Sequence, residues 1–535
     1  MKGKSDRNKL IFHYFDMEEI VPEDHILRLI DKYIDFSFIH QKVKHLYSHT
    51  GRPSVDPEQL IKMLLIGYLF GITSERKLCS EVKMHIAYRW FLGMNMDDKV
   101  PNHSTFSKNR HGRFKDSGLF QEIFDEIINQ CIAQGFIGGT HVTVDGTLVK
   151  ANASKKRMEP IIVNMNSKEY IDKIEEENDK SDSNKNDGPK GTSTGTIGAK
   201  ERLAREQEVK KYEEKLKKEK FKESAWEPGK NSRDLTKLSN QTHRSTVDPD
   251  ARLARKWFES SRLCHGANYL MDNKNRIIIG ALTDLPDGGG ERRSAIRMLD
   301  YAMWHYGIKP ETLGGDKGYF SGSLLKELDK RDIISHIPYT KVIKSTHRGV
   351  YTINDFTYDE RKNEYICPAG KRLKYSGRNK LHNVWRCSIK HCRDCHLKEK
   401  CTKSKSRTLG VHVHEKLIKQ ACELSKTKEY RISQRKRKLI EGLFGEAKEQ
   451  MGMRVAKFRH RWNVSEQFLM TATVQNIKRF VKLMVKKRKK TDEAKAILGK
   501  TDGVYSIYSI VCQIFDKIIG NNQKAEITIP IMINC

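Results

Sequence analysis

No stretch of the 535 residues reaches the roughly 18 consecutive apolar side chains that a membrane-spanning helix needs. Met1–Leu10 lacks the apolar centre of a secretion signal. Both absences lead us to expect a soluble, cytoplasmic chain. Apolar residues are scarce at 37%, while charged ones reach 31%, against a usual charged share of about 25%. Even so, 20 Phe, 19 Tyr and 6 Trp exclude disorder as a description of the whole chain. Acid is in deficit: 68 Asp and Glu face 100 Lys and Arg, which leaves +32. A field of that size repels itself and usually has a polyanion to meet. The 11 cysteines are odd in number and spread over a long chain, which argues against a disulfide scaffold. The length allows three or four domains at about 150 residues each.

Residues 1–135 read as a helical domain. Asp56 followed by Pro57 is a helix start, because the carboxylate caps free amides and Pro tolerates the first turn. Ser74 can cap a second helix through about Leu92, with Leu78, Val82 and Ile86 inward. A third helix opens at Asn102–Ser104 and is expected to expose Lys108, Arg110 and Arg113. Short helices with a basic last member suit a helix-turn-helix-like DNA reader; a plain bundle with a solvated face is the alternative. His141–Asp145 (HVTVD) alternates and is β-branched, so it reads as a strand ending at an acid, with Thr147–Val149 as a hairpin partner. Beyond residue 240, strands are expected over 268–271, 276–282, 312–316 and 333–337, with helices over 292–306 and 323–330. Such interleaving indicates an α/β layer assembled from 136–157 and 240–344. Residues 158–239 read as a charged, partly disordered insertion, since 181–200 hold only Ile197 and Ala199 as apolar side chains. Residues 345–425 form a Cys-rich insertion, 426–490 are helical, and 491–535 receive no role.

Two acids stand where ligand sites form in α/β sheets, at strand ends. Asp145 is followed by Gly146, and Asp316 lies in GGDKGYF. Glu441 lies within a helix, and at 100° per residue Gln434, Arg437, Glu441 and Lys448 share one polar stripe beside the apolar stripe of Ile440, Phe444, Ala447 and Met451. Three gathered carboxylates repel, and divalent metals resolve this: Mg²⁺ (or Mn²⁺) pairs in such sites serve in-line displacement at phosphorus. Arg437 and Lys448 are then placed to hold DNA phosphates. Asp284, Asp248 and Asp250 are rival acids, read here as turn or substrate-neighbouring residues.

These motifs resemble the DDE transposases of bacterial insertion sequences, in the branch whose last acid lies in a Y-x2-R-x3-E-x6-K signature. Arg437, Glu441 and Lys448 match that spacing, with Gln434 in the Tyr slot. TVDGTLVKANAS around Asp145 and GGDKGYFSG around Asp316 resemble the first and second Asp motifs. GRPSVDPEQLIKMLLIGYLFGITSERKL, AYRWFLG and VPNHSTFSKNR resemble the helical domain preceding the core. The resemblance implies a ribonuclease H-like core, catalysis by Asp145, Asp316 and Glu441 with Mg²⁺, and cleavage and strand transfer of double-stranded DNA at terminal inverted repeats. It also implies at least a dimer on DNA and no membrane partner. A catalytically inactive, DNA-binding relic is the alternative reading.

Cys387, Cys392, Cys395 and Cys401 fall within 15 residues, with Cys367 upstream. Cys392-x2-Cys395 is knuckle spacing for zinc, and Cys367, Cys392, Cys395 and Cys401 are the expected ligands, with Cys387 or His391 as substitutes. In a polar segment with little core, such a clip would supply folding energy. Residues 431–490 carry 18 Lys and Arg against 4 acids. Arg454, Lys457, Arg459 and Arg461 interleave there with Phe458 and Trp462, as in a groove that tracks a phosphate backbone.

Overall fold

The computed structural model describes residues 16–48, 50, 54–115, 117–160, 239–240, 243–255, 259–287, 289–339 and 351–498. The insertion expected over 158–239, except its ends, and the tail beyond 498 lie outside the described residues. The N-terminal part is helical: α1 (Met17–Ile20), α2 (Ile26–Tyr33), α3 (Phe38–Val43), α4 (Pro57–Leu69), α5 (Glu75–Met84), α6 (Ile86–Phe91), α7 (His103–His111) and α8 (Leu119–Ala133). Asp56 accepts from the Glu58 amide and Pro57 opens α4, as the local sequence requires. The helix expected from Ser74 to about Leu92 is instead broken at His85, whose backbone is extended. Its first half buries Leu78 and Val82, its second Ala87, Tyr88 and Phe91. Those sets are out of phase on one continuous helix, and the extended residue resets the phase.

The α/β layer follows as β1 (His141–Lys150), a two-stranded flap of β2 (Met158–Pro160) and β3 (His243–Ser245), then β4 (Arg252–Ala254), β5 (Arg262–Asp272), β6 (Ile277–Asp284), α9 (Gly290–His305), β7 (Thr312–Gly314), α10 (Gly322–Asp329) and β8 (Ile334–His336). The sheet runs β4-β5-β1-β7-β8, with β6 also on β5. β1 is antiparallel to β5 and parallel to β7, and β7 is parallel to β8. The sequence reading of a strand ending at Asp145 and a hairpin partner at Thr147–Val149 gives way to one unbroken strand. β5 pairs with β1 from Val142 to Lys150, and that partner lies more than a hundred residues away in the chain.

A second sheet of five antiparallel strands occupies the Cys-rich region: β9 (Thr357–Asp359), β10 (Glu364–Ile366), β11 (Arg372–Asn379), β12 (His382–Cys387), then α11 (Ile389–Arg393), α12 (Lys398–Cys401) and β13 (Thr408–His412). Phe356, Tyr365, Leu373, Trp385, Leu409 and Val411 form its own core. The expectation of little core is therefore corrected: these aromatic and aliphatic side chains, with Cys387 among them, give the segment a core of its own.

Three helices complete the chain: α13 (Glu415–Leu424), α14 (Lys428–Gln450) and α15 (Arg461–Leu498). α15 lies against α2, α4 and α8 on one side and β6 on the other. Its buried Asn476 amide bonds both the N–H and C=O of Ile278, at 2.9 and 2.8 Å. Tyr269 of β5 is stacked between Phe444 of α14 and Phe468 of α15, with ring centroids at 4.7 and 4.5 Å. This sandwich fixes α14 over one face of the sheet. Among the described residues, no helix is long and apolar enough to cross a membrane.

Candidate active site

Residues directly opposite in an antiparallel pair share a face. Asp145 lies opposite Tyr269, so it shares the face that α14 covers. On the parallel side, Thr143 pairs with Gly314. β7 ends at Gly314, two residues short of the strand expected over 312–316, and Asp316 caps the turn that follows, beyond the end of the strand that neighbours Asp145's. The Asp316 carboxylate accepts from the Gly318 amide at 2.8 Å. Burial pushes the Asp145 carboxyl up to about 6; the Gly146 amide and Arg437 pull it down, while Asp316 and Glu291 add repulsion. The two aspartates thus feel each other.

Gly146 does not turn the chain, as its place after an acid suggested. It makes room: a Cβ there would meet Asn268 Oδ1 at 2.6 Å and Glu291 Oε1 at 3.2 Å. Above the sheet, α14 crosses from β8 to β1. A Cβ on Gly314 would lie 3.2 Å from Ser433 Oγ. Gln434 donates to the His336 carbonyl, and Lys448 donates to Thr147 Oγ1. Glu441 lies between these anchors with its side chain 59% exposed, and pairs with Arg437 Nη1 at 3.4 Å. Arg437 Nε is buried without a hydrogen-bond partner. Of the predicted polar stripe, Gln434, Arg437 and Lys448 therefore face the sheet, at His336, Asp145 and Thr147, while Glu441 stands mostly exposed beside Arg437. Lys448 is turned down onto β1.

Sequence reasoning missed Glu291 and Tyr319. Glu291, at the start of α9, neighbours Gly146, and it raises the Tyr319 hydroxyl together with Asp145, Asp316 and, above all, burial. The available signal was a glycine run ahead of an acid, which reads equally well as an ordinary helix start. Asp284 is a structural acid: it accepts from Leu285 N at 2.7 Å and Ser294 Oγ at 2.9 Å, and lies opposite Gly266, away from Asp145's level.

Asp248, Asp250 and His460 gather elsewhere, with donor atoms all within 4.8 Å, a set able to take a divalent cation. Asp248 is fully buried, accepting from His265 Nε2 at 2.9 Å and His460 N at 3.2 Å; Asp250 accepts from Arg461 N at 2.9 Å. Burial would raise the Asp248 carboxyl, but these bonds hold it below its ordinary value. The carboxylates are spent on fastening the 451–460 loop.

A sequence profile described as a transposase domain (DUF772) matches residues 15–112, and one described as a transposase DDE domain matches residues 366–481. Both matched regions are thus similar to transposases, the second to those of the DDE class. No curated protein matches it. A solved structure, a cryo-EM piggyBac transposase synaptic complex with hairpin DNA, is similar at 10% identity over 92% of this chain and 79% of that one, with a TM-score of 0.29. Transposases cut and move DNA, and the DDE match indicates an enzyme with chemistry of that class. The DDE match includes Glu441, all of α14 and the first half of α15.

Not every basic residue of the chain faces outward. Lys457 lies 4.3 Å over the Tyr68 ring and burial draws its ammonium down to about 8. Arg110, expected on an exposed face, is 5% exposed and paired with Glu466 and Glu75. Both join the helical domain to the loop and helix beyond α14. Arg454 pairs with Glu449, Arg459 donates to the Asn152 carbonyl at 3.1 Å, and Arg461 is exposed at the start of α15. Cys367, Cys387, Cys392, Cys395, Cys401 and His391 surround one cavity of about 20 Å³. Burial and the neighbouring Cys392 push the Cys387 thiol up to about 12.

Proposed function

We propose that Asp145, Asp316 and Glu441 hold divalent cations for strand cleavage and strand transfer at the ends of an insertion-sequence element. The observation that carries this is that Asp145 on β1 feels the charge of Asp316, just past the end of the neighbouring parallel strand β7, and of Arg437, the ion-pair partner of Glu441 on α14. The donor set fits hard cations: carboxylate oxygens, one of them held partly protonated by burial and by like charge. A cation bound there supplies charge neutralisation and a more acidic nucleophile. The strand order, with three antiparallel strands and two parallel ones added at β1, supports a ribonuclease H-like reading of the core. The Arg-x3-Glu-x6-Lys spacing favours the insertion-sequence branch. We infer a cytoplasmic enzyme acting as at least a dimer on duplex DNA, with its helical domain on the element ends. Arg437 and the exposed Arg454, Arg459 and Arg461 face the phosphates; Lys448 and Lys457 serve by positioning β1 and the loop.

The test is cleavage of a duplex carrying the element ends. Nicked and strand-transfer products with Mg²⁺ and none with EDTA support the reading; DNA binding without cleavage in either condition would mark an inactive relic. Because Asp145 must shed a proton to bind a cation, Mn²⁺ affinity should rise about tenfold per unit from pH 5 to about 6 and level off above it. Calorimetric titration across pH 5–8 reads this, and a flat profile rejects the assignment.

For the Cys-rich domain we propose one Zn²⁺ on Cys367, Cys392, Cys395 and Cys401. The sulfurs line a cavity of single-ion size, and the ligands must draw closer on binding, since among the described residues the group within 4.8 Å lies elsewhere. Elemental analysis should find about one zinc per chain, lost in Cys392→Ser/Cys395→Ser. Because this domain has its own core, the zinc-free variant should keep its sheet signature by circular dichroism.

A further inference from the structure

Beyond its catalytic aspartate, β1 runs straight into a second cavity. Asp145 to Lys150 is five residues, about 17 Å of strand. There the chain leaves the sheet: Lys150 N donates to the Arg454 carbonyl at 3.2 Å, Ala456 N to the Lys150 carbonyl at 2.8 Å, and Ala151 N to the Leu263 carbonyl at 2.8 Å. These bonds lock the end of β1 to the 451–460 loop. The cavity between them holds about 460 Å³. Three cations line it, Lys150, Arg157 and Arg459, and no acid does. Among the described residues, none of the three is ion-paired. Arg459 spends only its Nε, on the Asn152 carbonyl, so its two terminal nitrogens remain for a ligand. Asn152 and Ser154 add polar groups; Ala153 and Val455 add apolar wall.

Three cations around one concavity, none of them offset by a lining carboxylate, concentrate positive potential where an anion can sit. The volume exceeds that of a lone phosphate, and the mixed lining suits a charged group carried on an apolar ring. We propose that this cavity is a binding subsite for the sugar–phosphate backbone of one DNA strand: phosphate oxygens on Lys150, Arg157 and Arg459, deoxyribose against Ala153 and Val455. The proposal rests on the reading that DNA is cut at Asp145 and Asp316. A duplex laid along β1 advances about 3.4 Å per step, so the phosphate seated here lies about five steps from the scissile bond. The rigid coupling of β1 to the loop makes this subsite a ruler that sets the strand's register over the acids.

The test measures binding alone, in EDTA, with the full chain and a 30-base-pair duplex of mixed sequence. Lys150→Ala/Arg157→Ala/Arg459→Ala should lower the slope of log affinity against log salt by at least about one, as expected for each lost phosphate contact. Affinity at 100 mM salt should fall by at least tenfold. A control with the same charge change, Lys309→Ala/Lys416→Ala/Lys419→Ala, should leave the slope unchanged and affinity within threefold. Equal losses in both variants, or no loss in the first, overturns the subsite. Single Arg459→Gln and Lys150→Met variants, each expected to weaken binding two- to fivefold, carry the test if the triple variant misfolds; neither weakening binding overturns it. Since no cleavage is read, failure of the metal-site assignment shows instead as Asp145→Ala retaining activity, with this binding result untouched.

Discussion

Asp145→Ala and Asp316→Ala should each reduce metal-dependent strand cleavage by at least about 10³-fold, while binding of duplex DNA in EDTA changes less than threefold. A thousandfold loss corresponds to about 4 kcal/mol of transition-state stabilisation, the size expected when one ligand of a shared cation centre is removed. Asp145→Ala makes a second, less obvious prediction about the empty enzyme. Burial and like charge hold this carboxyl near 6, so ionising it at neutral pH costs folding free energy. That cost is absent below the ordinary carboxylate range and grows as pH rises through about 6. Removing the carboxyl should therefore leave the metal-free melting temperature unchanged or raised at pH 8. Glu441→Ala should also lose cleavage with little change in stability, because the side chain is mostly exposed and its pairing with Arg437 is long. Asp248→Ala separates the two acid clusters. It strips His265 and the His460 amide of their acceptor and should lower stability by about 2–4 kcal/mol. If a folded Asp248→Ala loses cleavage while Asp145→Ala keeps it, the cation site lies at Asp248 instead.

The strand that carries Asp145 was legible in the sequence because β-branched alternation marks it, and 3.6-residue spacing put Arg437, Glu441 and Lys448 on one stripe of α14. Distant pairing was not legible. Gly146 read as a turn because nothing local shows that Asn268 and Glu291 fill the space beside it. His85 breaks a helix whose local pattern continues, since the phase that matters is set by the core it packs on. The Cys-rich domain seemed coreless because Phe356, Tyr365 and Trp385 come from separate short segments and meet only when five strands assemble. Lys448 shows the same limit at the site itself: periodicity placed it on the right stripe, but only the fold turns it onto Thr147.

Arg110→Ala should be the most destabilising single change outside the hydrophobic core. The Arg110 Nε reaches both Glu466 oxygens at 2.9 Å, Nη2 reaches Glu75 Oε1 at 2.6 Å, and the guanidinium lies 4.1 Å over the Phe458 ring. The Arg110 and Glu466 side chains are 5% and 4% exposed. One cation from α7 thus ties together α5, α15 and the loop between α14 and α15. Truncating it leaves two acids facing each other with only Lys457 nearby, and breaking a buried pair in this way costs about 3–5 kcal/mol. In melting temperature that is a fall of roughly 10 °C. The pH dependence gives the sign. Burial already lifts Glu466 to about 7 with Arg110 present. Without the guanidinium its ionisation costs more, so the variant should be weakest at pH 8 and recover as pH falls towards 5, where Glu466 is protonated in the fold. Arg110→Ala/Glu466→Gln should restore most of the loss at pH 8, because it removes the stranded charge rather than replacing the pair. Calorimetry of the two variants at pH 5 and 8 decides it. An unchanged melting temperature for Arg110→Ala at pH 8 would mean that the helical domain is held to the catalytic sheet by the apolar contacts of α15 alone.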